Sequence, residues 1–361
     1  MQQPSLSARS RFAERALQHL GPLPMPIGVY AGLEMTGASV RDAVTSARAQ
    51  AEAVLALHER FRTPVMLTAM DLSAEAEAFG CELRMPDDEV PTVVGRRVTC
   101  ASDLASLPDA QPGDGRTRVH LDAARILAAH TSDVPVLGGM IGPFSLAGRL
   151  FGVSQALEAT LTDPDLMLAL MERTTRLLVD YARAFREAGA SGVILAEPSA
   201  GLLSPRGLAR FSSPFVGWIV AAAEERGFAV VYHSCSAKLV HLPGILEAGV
   251  HVCHFGAPMD MAAALGCVDG RAILCGNLDP TAVFHGSTPD QVAESTRALL
   301  QATQAHDNFV ISSGCDLPPG TPIANLERFY ETVRSPAASH GAAHAAAGYG
   351  DRRKKLSGGP R

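Results

Sequence analysis

Short apolar runs rich in β-branched residues recur along the chain, and each is followed by a longer segment with apolar positions three and four residues apart. The short runs have the length of buried strands, and the longer segments have the spacing of amphipathic helices. This alternation predicts βα units with parallel strands, and eight such units close a barrel. We therefore predict a single (β/α)8 TIM barrel over residues 11–334. The predicted strands are residues 26–32, 63–72, 134–142, 191–198, 229–235, 249–256, 271–278 and 308–315.

Three segments depart from the alternation. Residues 80–133, after the second strand, are too long for a simple connection and predict a β-rich excursion with a helix over the barrel mouth. Residues 335–361 are rich in Ala, Gly and Ser and carry a basic cluster, a composition typical of a disordered tail. Residues 1–10 are expected to form a flexible terminus.

Composition and charge narrow the class of protein. Apolar residues make up 47% of the 361 positions, enough for a large core, and the net charge of −6 argues against general nucleic-acid binding. The N-terminus lacks an apolar signal segment, and no stretch approaches the roughly 20 apolar residues that span a bilayer. We expect a cytoplasmic protein without membrane contact. The odd number of cysteines, seven, indicates reduced thiols or metal ligands rather than disulfides.

A histidine and two cysteines at strand ends form a candidate metal site. His233 and Cys235 close the run AVVYHSC, and Cys315 closes NFVISSGC. Residues two apart in a strand project from the same face, so the first pair can hold one ion together. A nitrogen and two sulfurs are ligands that zinc accepts, with a fourth position left open for water, a protein group or a substrate thiol. The alternative is two ordinary buried thiols and a hydrogen-bonded histidine.

Other polar residues also end predicted strands, where barrel enzymes place their active sites. Asp71 and Glu197 are candidate catalytic groups, and Asn277 and Asp279 are candidate substrate-binding groups. Salt bridges and turn formation are the structural alternatives for these four. His254 ends a neighbouring strand and is a candidate fourth metal ligand, with packing or hydrogen bonding as its alternative.

Several long motifs, in order along residues 11–334, resemble one known superfamily. They are AMDLSAEAEAFGC, MIGPFSLAGRLFG, GVILAEPSAGLLSP, VVYHSC, ILCGNLDPTAVFHGSTPDQV and SSGCDLPPGTPIANLERFYETVR. These motifs resemble the uroporphyrinogen decarboxylase superfamily, and within it the zinc-dependent methylcobamide:coenzyme M methyltransferases. The resemblance implies a zinc ion on His233, Cys235 and Cys315 that activates a small thiol such as coenzyme M. It also implies a methylated corrinoid as methyl donor. Because the chain has no D-x-H-x-x-G corrinoid motif, we expect a separate corrinoid protein to present it.

Departures from both branches of the superfamily qualify this expectation. Decarboxylases grip carboxylates through an Arg-rich N-terminal motif, whereas PIGVYAGLEMTGAS contains no Arg. Arg149 stands near their functional Tyr, and Cys315 stands where they have His, so only Asp71 matches a functional carboxylate. Ser236 replaces the Gly that usually follows the methyltransferase H-x-C cysteine. The alternatives that remain are decarboxylation of a tetrapyrrole and a non-catalytic, zinc-stabilised protein that binds a corrinoid or tetrapyrrole.

Overall fold

Parallel strands form the wall of a TIM barrel in the computed structural model, which describes residues 22–335 apart from residues 226 and 269. Eight strands pair in the order β1-β10-β9-β8-β7-β6-β5-β2, and β3 and β4 form a separate antiparallel hairpin. No backbone ladder joins β1 to β2 in the described chain, so the wall lacks hydrogen bonds there. The strands are β1 (Leu23–Pro24), β2 (Met66–Leu67), β3 (Glu82–Arg84), β4 (Thr92–Val94), β5 (Val136–Ile141), β6 (Gly192–Ala196), β7 (Ala229–Ser234), β8 (Val252–Phe255), β9 (Ile273–Leu278) and β10 (Phe309–Ser313).

Helices surround the wall and confirm the predicted barrel. The α-helices are α1 (Leu33–Thr36), α2 (Val40–Thr45), α3 (Ala47–Phe61), α4 (Ala74–Ala78), α5 (Ala101–Ala105), α6 (Thr117–His130), α7 (Pro143–Phe151), α8 (Val153–Thr162), α9 (Pro164–Glu187), α10 (Pro205–Phe211), α11 (Ser213–Ala223), α12 (Leu242–Glu247), α13 (Met261–Val268), α14 (Pro289–Thr303) and α15 (Ile323–Arg334). Short 3₁₀ turns cover Tyr30–Gly32, Ser199–Leu202 and Leu239–His241, and a π turn covers Pro280–His285. No helix of the described chain combines the length and the apolarity needed to cross a membrane.

Alternate strand residues supply two separate cores. Side chains such as Ile194 and Val231 fill the barrel interior, whereas their neighbours Val193 and Val230 pack outward against the helices. Both faces of a barrel strand are buried, which explains why the strands are continuous apolar runs rather than alternating ones. The inward positions therefore decide which side chains reach the mouth of the barrel.

The first strand is not where the sequence placed it. The prediction of residues 26–32 was wrong, because β1 is Leu23–Pro24 and the chain turns into a 3₁₀ helix at Tyr30. Prolines at 24 and 26 have no amide hydrogen, so the ladder with β10 is short. Met25 still donates to Ile311 O at 2.8 Å.

The long excursion after β2 is present as predicted. Residues 80–133 contain the β3–β4 hairpin and the helices α5 and α6. The predicted flexible residues 1–10 lie outside the described residues. So does the predicted disordered tail of residues 335–361, apart from Ser335.

Candidate metal centre

The predicted metal triad assembles at the carboxyl ends of β7 and β10. In β7 every second side chain faces the barrel interior, and Ala229 and Val231 are two of these inward positions. His233 is the next inward position, and Cys235 follows it two residues later. One ligand atom from each of His233, Cys235 and Cys315 lies within 4.8 Å of the others. The Cys315 Sγ to His233 Nε2 distance is 3.5 Å. Cys315 thus lies beside the His233–Cys235 pair, as predicted, and metal binding by the three residues stays a prediction.

The two thiols shift each other's pKa in opposite directions. A hydrogen bond from Cys315 is the main cause that lowers the pKa of Cys235 to about 4, and the same bond and burial raise the pKa of Cys315 well above its usual value. These opposite shifts favour loss of one proton from the pair. A divalent cation would favour loss of both, since metals bind the thiolate form.

The donor set and its spacing fit zinc. Zinc bonds of about 2.3 Å to sulfur and about 2.0 Å to nitrogen, arranged tetrahedrally, separate the two ligand atoms by about 3.5 Å. The Cys315 Sγ to His233 Nε2 distance has this value. Soft thiolates with an imidazole favour zinc over hard cations such as magnesium.

His254 is engaged by neighbours and does not point a free nitrogen at the triad. Its Nδ1 lies 2.8 Å from His233 Nδ1, and its Nε2 lies 2.8 Å from Ser312 Oγ. Burial, and then the neighbouring His233, lower the pKa of His254 well below its usual value. This geometry argues against the fourth-ligand interpretation.

Ser236, the departure from the methyltransferase motif, holds the loop beside Cys235. Its hydroxyl donates to Pro198 O at 2.6 Å. It packs on Gly201, where an added Cβ would lie 2.2 Å from Ser236 Oγ. The loops after β6 and β7 are thereby tied together next to the second ligand.

Asp71 lies in the segment between β2 and α4, rather than at a strand end, and forms a buried ion pair that sequence reasoning missed. Arg116, which enters from the excursion, contacts the Asp71 carboxylate and bonds to Glu77 at 2.8 Å. Ser73 donates to Asp71 through its amide at 3.0 Å and its hydroxyl at 2.5 Å. The only available signal was general: a carboxylate at a buried strand end needs a cation. Its role toward a substrate stays a prediction.

Glu197 faces outward from β6. The preceding Ala196 belongs to the barrel interior, so the next side chain lies on the helix side of the wall. Its carboxylate accepts from Phe144 N at 2.7 Å, Ser145 N at 3.0 Å and Ser145 Oγ at 2.7 Å. It therefore caps the N-terminus of α7, whose own N-cap Gly142 has no side chain. No hydrogen bond joins it to the triad within the described residues, and a catalytic role stays a prediction.

Asn277 and Asp279 already serve the local backbone. The Asn277 amide donates to Gly256 O at 3.0 Å and Met259 O at 2.7 Å. Asp279 accepts from the amides of Thr281 and Ala282 and caps the π turn. These bonds support the turn-forming alternative, and contact with a substrate stays a prediction.

Two buried polar groups on the Cys315 side of the barrel mouth lack hydrogen bonds. The Tyr30 hydroxyl and the Asp316 carboxylate have no hydrogen-bond partner in the part of the chain that the structure describes. Burial is the main cause that raises the pKa of both groups well above the usual values. Their unused hydrogen-bonding capacity lies on the β1 and β10 side of the mouth.

The chain belongs to the uroporphyrinogen decarboxylase (URO-D) family, whose model matches residues 27–336. It is an enzyme of that family, and methyl transfer is the reaction that the relatives favour for it. A methylcobamide:CoM methyltransferase, MtbA, of Methanosarcina mazei is 30% identical over 312 residues, covering 85% of this chain and 90% of the relative. A uroporphyrinogen decarboxylase of Streptomyces avermitilis is 28% identical over 320 residues, covering 87% of each.

A solved structure supports the fold independently. A methyltransferase from Methanosarcina mazei superposes with a TM-score of 0.79 at 24% identity. The match covers 88% of this chain and 96% of that one. The predicted membership and barrel are thus confirmed.

Proposed function

We propose that this protein transfers a methyl group from a methylated corrinoid to a small thiol at a zinc site formed by His233, Cys235 and Cys315. The 3.5 Å separation of Cys315 Sγ and His233 Nε2 carries the proposal, because it suits two ligands of one tetrahedral zinc. The relatives named methylcobamide:CoM methyltransferases supply the reaction type. Reduced thiols are required, which fits seven free cysteines and a cytoplasmic setting.

Bound zinc would supply a cation that favours the thiolate form of the acceptor at neutral pH. In the transfer, the acceptor sulfur loses its proton to solvent and forms a bond to the methyl carbon. The cobalt–carbon bond breaks, its electron pair stays on cobalt, and the corrinoid passes from the methylated Co(III) to the Co(I) state. The triad holds the reacting sulfur at the mouth of the barrel, so the protein contributes mainly nucleophile activation and alignment.

We also propose that a separate corrinoid protein docks beside Cys235. Leu202 and Val240, which lie on the turns that follow β6 and β7, are 57% and 61% exposed. Exposed apolar side chains at this end of the barrel suit a protein partner that must bring its cofactor to the triad. Changing Leu202 and Val240 to Asp should raise the KM for a protein-bound methylcorrinoid and leave free methylcobalamin turnover unchanged. Ile126→Asp, an exposed apolar position on α6, is the matched control.

The central experiment measures zinc content and methylcobalamin-dependent thiol methylation in parallel. Wild type, Cys315→Ala and Cys253→Ala would be purified under reducing conditions without chelator and assayed with coenzyme M and neutral thiols. We expect Cys315→Ala to lose zinc and turnover. Cys253→Ala removes a buried thiol that faces the helices, so it should retain both.

Four results would contradict the proposal. Zinc-free wild-type protein would exclude the metal site, and full activity in Cys315→Ala would exclude its role. Zinc-independent release of carbon dioxide from a porphyrinogen would instead support the decarboxylase alternative. Stoichiometric zinc without methylation of any thiol would support the non-catalytic binding protein.

A further inference from the structure

The His233 ring is held by a chain of hydrogen bonds that crosses the barrel interior. His233 Nδ1 lies 2.8 Å from His254 Nδ1 on the neighbouring strand β8. His254 Nε2 lies 2.8 Å from Ser312 Oγ on β10, which donates to Met25 O at 2.5 Å. His254 and Ser312 are fully buried, so water does not replace these contacts.

The donor and acceptor of each hydrogen bond in this chain follow from the bond between Ser312 and Met25. Ser312 has one hydroxyl hydrogen, and Met25 O takes it. Ser312 Oγ must therefore accept from His254, which places a hydrogen on His254 Nε2. A neutral His254 then has only a lone pair at Nδ1. The facing Nδ1 of His233 must supply the hydrogen between the two rings.

The other arrangements are unfavourable. Without a hydrogen between them, two lone pairs would face each other at 2.8 Å. With the hydrogen on His254, that ring would be a cation of 0% exposure, and no carboxylate of the described residues hydrogen-bonds to it. An unpaired buried charge is far more costly than a neutral tautomer.

We propose that the relay from Met25 O through Ser312 to His254 fixes His233 in its Nδ1–H tautomer and presents the Nε2 lone pair to the metal. His254 and Ser312 are thus positioning residues rather than ligands. The proposal rests on the zinc site proposed above. Its physical basis is that the hydrogen bond at one imidazole nitrogen decides which nitrogen is free to bind a metal.

Zinc affinity, measured by chelator competition, tests the relay without reference to turnover. His254→Leu removes the acceptor and should weaken zinc binding by about 10- to 100-fold, the usual effect of losing such a partner. His254→Asn places an amide oxygen near the lost Nδ1 and should restore most of that affinity. Ser312→Ala should weaken binding as well. Ser313→Ala is the matched control. The side chain of this buried neighbour lies on the opposite face of β10 from Ser312, and the substitution removes only its 2.9 Å bond from Ile27 N.

Nitrogen-15 NMR of histidine-labelled wild-type protein reads the tautomer directly. We expect a protonated Nδ1 on His233 both without metal and after zinc addition, with Nε2 as the metal-bound atom. An unprotonated Nδ1 on His233 in the metal-free protein, or wild-type zinc affinity in His254→Leu, would overturn the relay. If wild type binds no zinc, the proposed function fails, and the metal-free NMR result still decides the tautomer. If His254→Leu does not fold, Ser312→Ala and the NMR measurement decide.

Discussion

Replacing Glu197 with Gln tests whether this buried residue stabilises the fold by capping α7 or takes part in the reaction. Its carboxylate accepts from both backbone amides at the start of α7, Phe144 N at 2.7 Å and Ser145 N at 3.0 Å. Near pH 5 the protonated carboxyl group still has lone pairs on both oxygens, whereas Gln keeps one acceptor oxygen and turns an NH₂ group toward the remaining donors. A buried donor without its acceptor costs about 1–3 kcal/mol, so we expect a loss of that size near pH 5.

The pH dependence gives this prediction its sign. Burial raises the pKa of Glu197 from 4.5 to about 7, so the folded state holds a proton that the unfolded state loses earlier. Stability then falls as pH rises through this window, by about 2–3 kcal/mol between pH 5 and pH 8. Gln does not titrate. The gap between wild type and Glu197→Gln should therefore narrow by about that amount near pH 8.

Urea denaturation at the two pH values, with zinc content and methyl transfer of the folded variant, is the assay. We expect changed stability with zinc content and turnover per folded molecule preserved. A variant with wild-type stability at both pH values and full zinc, but without methyl transfer, would refute the capping argument. Glu197 would then act in the chemistry.

Two further substitutions test a buried ion pair and the helix propensity of an exposed glycine. Arg116→Met leaves the buried Asp71 carboxylate without its cation and should lower the free energy of unfolding, measured by urea denaturation, by about 3–5 kcal/mol. Arg48→Met breaks an exposed pair and should cause no measurable change. Equal effects of the two substitutions would contradict the argument from burial. Gly266→Ala, in α13, adds a Cβ with no atom within 4 Å and should raise the stability by about 0.5–1 kcal/mol, and a lower melting temperature would contradict the helix-propensity argument.

Periodicity predicted the barrel and made the triad a candidate, and the family resemblance then implied its role as a metal site. The H-x-C pair needs only the two-residue repeat of a strand, and the carboxyl ends of parallel strands meet at one rim. The position of β1 was harder to predict, because prolines interrupt its ladder without removing its extended conformation.

The direction in which Glu197 points was not predictable from its strand. Leu195 and Ala196 are both buried, one against the helices and one in the interior, so apolarity does not reveal which face is which. His233 and Cys235 do reveal it for β7, since two ligands two residues apart must both face inward. Register between β6 and β7 pairs Ala196 with His233, which would have placed Glu197 outward. That register is a property of the folded sheet and not of either strand alone.

The polar groups at the barrel mouth differ in their hydrogen-bond and ion-pair partners, and these partners decide which groups can take part in catalysis. Arg116 neutralises Asp71, the start of α7 occupies Glu197, and a turn occupies Asp279. General acid–base catalysis requires a carboxyl group free to exchange protons with a substrate, and these three are committed to the protein. The thiols of the triad are instead bonded mainly to each other and to His233, so a metal or an acceptor can replace those contacts without breaking the fold. Among the residues that the sequence predicted, the triad is thus better suited to activating a sulfur nucleophile than Asp71, Glu197 and Asp279 are to moving protons. The buried Asp316, whose carboxyl group has no hydrogen-bond partner among the described residues, is not committed in this way.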